Sequence, residues 1–472
     1  MAEILLLSTP IPLGLWLLGE AKALAELQRG TKAASKLDIG LGGFFAEMLL
    51  LVFPSVASMV WSSCTPVLVT SMIIASLCCR SVVHARSKNA RPAAGLTHHT
   101  RTFHDVWSGS SPTFCRPDVV THFRASIMLI TCITILAVDF QVFPRRFAKT
   151  EEFGTGLMDL GVGAVVFASG LASGCKIGRQ EPKKTSSLAT LFVLEVISAA
   201  VRSWPIAALG VSRLVVIKGL GYQEHVSEYG VHWNFFATLF CLRVFVVAMS
   251  RLNPARVRLL LALAALCIYQ WLLLGDLGAF VFDGPRLTLF SMNREGVLGL
   301  VGFVAIFYIA EELGRQFSGH ARKAKEETEQ QFSFSSWMPA VLGADIILWV
   351  CTWLSNQFIQ PTSRQVQLKS DQRMMNLTYV LWVSAHLTFM LILLVAVETV
   401  SSNPPSSQVL AAVNFNMFAI FMVANLATGA VNISMRTLDV DPWAAVTTLL
   451  IYVTLVTGLA VTLASRGLVI KM

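Results

Sequence analysis

The sequence predicts an all-α fold: a polytopic transmembrane helical bundle of about 13 spans joined by short loops on the two sides of a bilayer. Three observations carry this. Of 472 residues, 54% are hydrophobic and only 14% charged, whereas a chain that must cover a water-facing surface carries roughly 25% charged residues. The mean hydropathy is accordingly high, at +0.63. Apolar runs of about 20 residues recur along the chain, the length at which a helix crosses hydrocarbon with its own backbone satisfied. Finally, Lys and Arg lie in short clusters beside those runs, the pattern of the positive-inside rule. The net charge of +9 therefore reads as membrane topology. It does not suggest a nucleic-acid partner, since no nucleic-acid motif accompanies it.

Taken in order, residues 4–18 form the first apolar run. Glu3 precedes it where a signal peptide would carry basic residues, so the run has room for one span rather than a cleaved leader. Residues 1–43 stand apart as a divergent N-terminal segment, and 44–472 read as a single multi-span domain without an internal repeat. Residues 44–79, with Pro54 and Pro66, suffice for two short spans. The stretch 187–217 holds Arg202 and Pro205, and reads as a broken helix because proline removes an intrahelical hydrogen bond. The clearest spans are 123–140, 156–173, 233–250, 257–275, 296–313, 336–358, 374–398, 409–430 and 443–465.

Basic residues then fix the expected orientation. Arg80, Arg86, Lys88, Arg91 and Arg101 follow the two short spans of 44–79. Lys176, Arg179, Lys183 and Lys184, then Arg251, Arg256 and Arg258, then Arg315, Arg322, Lys323 and Lys325, occupy later alternate loops. With Arg466 and Lys471 they all fall on one side, expected to be cytosolic together with the C-terminus. The opposite loops include 141–155, 218–232, 276–295, 359–373 and 431–442. Two sequons, at Asn376 and Asn432, lie at or beside these loops and are glycosylation candidates. The loop 141–155 breaks the charge rule, because Arg145, Arg146 and Lys149 sit on the non-cytosolic side.

Three polar constellations stand out. The first runs from Asp139, at a span end, to Asp159. A carboxylate at a membrane edge, with Lys149 ten residues on beyond a Pro144 turn, has the composition of a general base beside a charge-stabilising cation. An ordinary interfacial ion pair is the plain alternative. The second gathers Glu224, His225, Glu228, His232 and Asn234 before a span. An early helix start would put Glu224, Glu228 and His232 on one face. Headgroup binding or a solvated cap suits this group better than a metal site, because the H-E-x-x-H spacing is missing. The third is Asn414, Asn416, Asn425, Thr428 and Asn432 along 409–430, which either bond between helices or line a substrate cavity. The nine cysteines form no CxxC or Cys/His ligand spacing. No metal or permanently bound cofactor is expected.

Two long runs are recognisable. TCITILAVDFQVFPRRFAKTEEFGTGLMDLGVG (131–163) and KGLGYQEHVSEYGVHWNFF (218–236) closely resemble the inositol acyltransferases of GPI-anchor biosynthesis, the PIG-W proteins and their fungal counterparts. NREG at Asn293–Gly296 and ANLATGAVNISM at Ala424–Met435 are similar to the same family, and the resemblance covers roughly 121–465. It implies an endoplasmic-reticulum membrane O-acyltransferase that uses acyl-CoA, usually palmitoyl-CoA, as co-substrate. The acceptor would be the inositol 2-hydroxyl of glucosaminyl-phosphatidylinositol. The family's Asp and Lys pair, ten residues apart, would map onto Asp139 and Lys149. Arg145, Arg146, Glu224, His225, Glu228, His232, Asn234, Asn293, Asn416, Asn425 and Asn432 are the further substrate-binding candidates. Two rival readings compete: a multi-span transporter, which also uses broken and Asn-rich helices, and a non-catalytic partner in the same pathway.

Overall fold

Each apolar run folds as a helix, because in hydrocarbon only a helix satisfies its own N–H and C=O groups. The computed structural model describes residues 1–29, 41–89, 118–150, 154–179, 189–219, 226–252, 254–326, 334–358, 374–403 and 405–470. The N-terminal part comprises α1 (Ala2–Leu7), α2 (Pro10–Arg29), α3 (Leu41–Glu47), α4 (Phe53–Val60) and α5 (Thr65–Asn89). A π-helical turn over Met48–Val52 joins α3 to α4. Then come α6 (Asp118–Ala137), α7 (Leu160–Arg179), α8 (Ala189–Arg202), α9 (Trp204–Gly219), α10 (Val226–Tyr229) and α11 (Phe235–Leu252). Next are α12 (Ala255–Leu273), α13 (Asp276–Asp283), α14 (Leu289–Met292), α15 (Arg294–Glu326) and α16 (Phe334–Phe358). The chain closes with α17 (Leu377–Val400), α18 (Gln408–Phe415), α19 (Met417–Ser434) and α20 (Pro442–Ser465). The described residues contain no strand.

Eleven stretches among the described residues are long and apolar enough to cross a membrane, and α8 with α9, bent by 50°, makes a twelfth. The shorter α11 also runs from one face to the other. It starts beside Asn293, where the backbone N–H of His232 donates to the Asn293 amide oxygen at 2.7 Å. It ends next to α12, whose Arg258 pairs with Glu311 far along α15. The protein is thus a multi-pass, all-α membrane bundle.

Contacts sort the chain ends onto two faces. On the Arg face, Arg80 of α5 donates to the Val400 carbonyl at the end of α17 and lies 3.6 Å from the buried Glu20 of α2. Glu20 also accepts from the Ser402 N–H at 3.0 Å. On the Asp139 face, Arg146 binds Glu3 at 2.6 Å and the Ser62 hydroxyl at 2.6 Å. There the Tyr269 hydroxyl of α12 donates to the Met374 carbonyl at 2.9 Å. Among the eleven single-helix candidate crossings, α17 is the most buried and α19 the least.

The structure refines three expectations. The first run extends over Ala2–Gln28 and is packed into the bundle. The second span of the central pair starts at Leu160 and not at 156, because the Asp159 carboxylate holds the preceding residues as a loop. The stretch 409–430, expected as one helix, is broken at Asn416, whose backbone leaves helical geometry at φ −125° and ψ 41°. Its side chain compensates for the lost intrahelical bonds. The Asn416 amide donates to the Leu468 carbonyl at 2.8 Å and accepts from the Ile470 N–H at 3.0 Å, pinning the segment after α20 to the break.

Candidate active site

The loop after α6 is shaped by apolar anchors and by one buried carboxylate. Phe140, Phe143 and Phe147 are almost fully buried, so the residues between them turn outward. Arg145 reaches back to donate to the Val138 carbonyl at 2.7 Å. Asp159 then closes the loop. It accepts from the Thr150 N–H at 3.1 Å, the Thr150 hydroxyl at 3.0 Å and the Gly156 N–H at 2.7 Å. Burial pushes the Asp159 carboxyl up, against the opposing pull of these hydrogen bonds and of Lys149. The Tyr379 hydroxyl on α17 donates to the Asp159 carbonyl at 2.6 Å, tying the loop to that helix.

On this scaffold Asp139 stands two residues past α6, half-buried, and the Asn432 amide of α19 donates to its Oδ2 at 2.9 Å. Its Oδ1 has no protein hydrogen-bond partner among the described residues. Lys149 pairs with Glu228 at 2.7 Å and lies over the Tyr229 ring at 5.8 Å. No ion pair joins Lys149 to Asp139, so the loop presents a carboxylate and a cation that are held separately. The first and second motifs meet through Lys149 and Glu228, and the first and third through Asp139 and Asn432.

The remaining candidates divide by what they touch. Arg145 and His232 are exposed near these groups. Arg146 is engaged by Glu3 and Ser62. Asn234 caps α11 by accepting from the Ala237 N–H at 3.1 Å and donates to the Gly210 carbonyl of α9 at 2.8 Å. Asn293 holds the His232 backbone. Glu224 and His225 lie outside the described residues. Of the expected single face, Glu228 and His232 do not share one helix, because α10 ends at Tyr229 and Gly230 turns the chain in the left-handed region, at φ +104°. A side chain there would run into the Asn293 backbone. Asn416 belongs to the Arg face, some 16 residues or roughly 24 Å along the helix from Asn432. Asn376 is completely buried and caps α17 through the Tyr379 N–H at 2.9 Å. A glycan has no room there, and at Asn432 the amide nitrogen is already committed to Asp139.

Four structural contributors, Asp159, Arg294, Glu295 and Tyr379, had no role assigned from the sequence. Asp159 was visible as a polar residue at the end of the first motif, but its acceptor role needed the loop to close. Glu295 and Arg294 of the NREG segment act as a brace. Glu295 pairs with Arg286, and Arg294 donates to the Gly284 carbonyl at 2.7 Å. Tyr379 carried no signal at all, since its carbonyl partner lies 220 residues away. A cavity of about 310 Å³ lined by Leu41, Phe44, Gly458, Val461, Thr462 and Ser465 opens at the other end of the bundle. Its apolar lining offers nothing to acid–base chemistry.

The GWT1 family matches residues 1–463, so it includes the N-terminal segment that the motifs alone set apart. The GPI-anchored wall transfer protein 1 of Aspergillus oryzae is 34% identical over 445 residues, covering 89% of this chain and 86% of that protein. The protein of the same name from Gibberella zeae is 33% identical over 456 residues, 91% of this chain and 89% of its own. That of Aspergillus fumigatus is 36% identical over 368 residues, 73% and 71% respectively. With its whole length matched and its polar loops assembled on one face, the chain belongs to the GWT1 family.

Proposed function

We propose that this protein is an acyltransferase of GPI-anchor biosynthesis. It moves a fatty acyl group, palmitoyl by preference, from acyl-CoA to the inositol 2-hydroxyl of glucosaminyl-phosphatidylinositol in the endoplasmic-reticulum membrane. Its Arg face and C-terminus lie in the cytosol. The observation that carries the reading is the state of Asp139. One carboxylate oxygen is anchored by Asn432 at 2.9 Å, and the other is unclaimed at the membrane edge.

A carboxylate held in this way accepts the proton of an approaching hydroxyl as that oxygen attacks the thioester carbonyl. The new C–O bond forms, the C–S bond breaks, and CoA leaves as a thiolate that takes up a proton. Transfer is direct, with no acyl-enzyme. Lys149 supplies positive charge for the oxyanion that develops on the carbonyl, with Glu228 setting where its ammonium rests. Arg145 and His232, exposed on the same rim, are placed to meet the phosphate and hydroxyls of the acceptor.

Microsomes supplied with labelled palmitoyl-CoA and glucosaminyl-phosphatidylinositol test the assignment. The native chain should yield inositol-acylated product. Asp139→Asn should reduce it at least a hundredfold, the scale of a lost general base, at unchanged protein level. Full activity in that variant removes Asp139 from the chemistry. No product from the native chain overturns the enzymatic reading in favour of a transporter or a non-catalytic partner.

A further inference from the structure

Among the eleven single-helix candidate crossings α19 is the least buried, and its exposed side is not uniformly apolar. Asn425 and Asn432 are both exposed. They are seven residues apart and so share one side of the helix, about 10 Å from each other along the axis. Gly429 lies between them, and a Cβ there would meet nothing within 4 Å. The result is a notch where the helix carries no side chain, with an amide at each end. The Asn425 amide donates back to the Phe421 carbonyl at 2.7 Å, and its oxygen has no partner among the described residues. The upper amide is the one that holds Asp139. The adjacent row of the same helix is apolar, with Leu426 71% and Ile433 91% exposed. On the same face of the bundle as Asp139, next to the Ser62 that binds Arg146, Trp61 and Trp443 pack at 5.9 Å, as aromatic residues do in the headgroup layer.

Amides facing hydrocarbon are unfavourable unless a polar group meets them. We infer that the notch Asn425–Gly429–Asn432 binds the polyhydroxylated headgroup of a membrane lipid, with its acyl chains along Leu426 and Ile433. An amide both donates and accepts, which suits a ring of hydroxyls. The occupant is a lipid of the phosphatidylinositol class, which enters sideways from the bilayer and presents a ring hydroxyl to Asp139. This deepens the function proposed above and rests on it for the identity of the acceptor.

The open space at Gly429 supplies the experiment. A Cβ at position 429 meets nothing within 4 Å, so in Gly429→Leu the thermal midpoint of the purified full-length protein should stay unchanged while the notch fills. A photo-crosslinking residue at position 426 is placed in vesicles of equal parts phosphatidylcholine and phosphatidylinositol. Adducts with phosphatidylinositol should exceed those with phosphatidylcholine about fivefold, and Gly429→Leu should bring the two to parity. In the acylation assay the same substitution should raise KM for the lipid acceptor about tenfold and leave KM for acyl-CoA unaltered, the pattern of lost substrate binding. Equal labelling of both lipids by the otherwise native chain, adducts mainly with a second copy of the chain, or an unchanged acceptor KM would each overturn the proposal. The crosslink needs no turnover. Selective labelling without acylated product therefore sinks the catalytic reading alone, and product without selective labelling sinks only the notch.

Discussion

At the scale of single residues, two carboxylates in one loop do opposite work because their surroundings differ. Asp159 is wholly buried and meets three donors, so it behaves as a structural clamp. Asp139 is half-buried with a single donor, and its second oxygen has no hydrogen-bond partner among the described residues. Asp159→Asn should therefore damage the loop: one amide oxygen cannot serve three donors, and its NH2 would confront the Gly156 N–H. A loss of about 1–3 kcal/mol is expected for such unmet buried groups, read as a lower thermal midpoint in detergent. An unchanged midpoint would show that the clamp is dispensable. Burial raises the Asp159 carboxyl in the folded state. Its contribution is thus fully present below the unfolded pKa and is lost as pH rises through the folded one. The Asn variant should lack that part of the pH dependence.

At the scale of elements, close packing and interruption both have named causes. Helices α7 and α15 approach so tightly that a Cβ on Gly170, Gly174 or Gly314 would strike the facing backbone of Phe307, Glu311 or Leu171 respectively. Small residues at such contacts are how membrane helices associate without a hydrophobic drive between them. The contact also places Ser173 against Glu311, which is already paired with Arg258. Gly174→Leu should therefore collapse the yield of folded protein in size-exclusion chromatography. Gly429→Leu, similar in size but facing open space, should not. Equal yields from the two would mean that the α7–α15 contact does not limit folding. The same positional logic explains the break at Asn416, where a side-chain amide bonded to Leu468 and Ile470 substitutes for helix continuity.

Across the described residues, the twelve candidate crossings and the shorter α11 carry the chain from Glu3 on the Asp139 face to Leu468 on the Arg face. An odd number of crossings requires the two ends to lie on opposite sides of the membrane. Epitopes placed at residue 1 and after residue 472 test this in sealed microsomes exposed to protease. The C-terminal epitope should be lost at once, and the N-terminal one only after detergent. Loss of both in sealed vesicles would contradict the odd count. The reverse protection pattern would invert the orientation inferred from the basic loops.

Sequence by itself determined what depends on composition and on local order. Helix identity and approximate span positions follow from apolar length, since the bilayer leaves the backbone no other way to satisfy itself. The sidedness of the basic clusters, and the prominence of Asp139 and Lys149, were legible because rare charged residues stand out against so apolar a background. What remained hidden depended on contacts between distant segments. Nothing local in Asn432 shows that it holds Asp139, 293 residues away, nor in Glu3 that it pairs with Arg146. The partnership of Lys149 with Glu228 in place of Asp139 was equally invisible. Spacing along the chain fixes reach, but only packing decides which of several reachable groups arrives. Tertiary structure likewise separated Asn416 from Asn425 and Asn432, because a helix that looks continuous in sequence is free to break where a side chain takes over its hydrogen bonds.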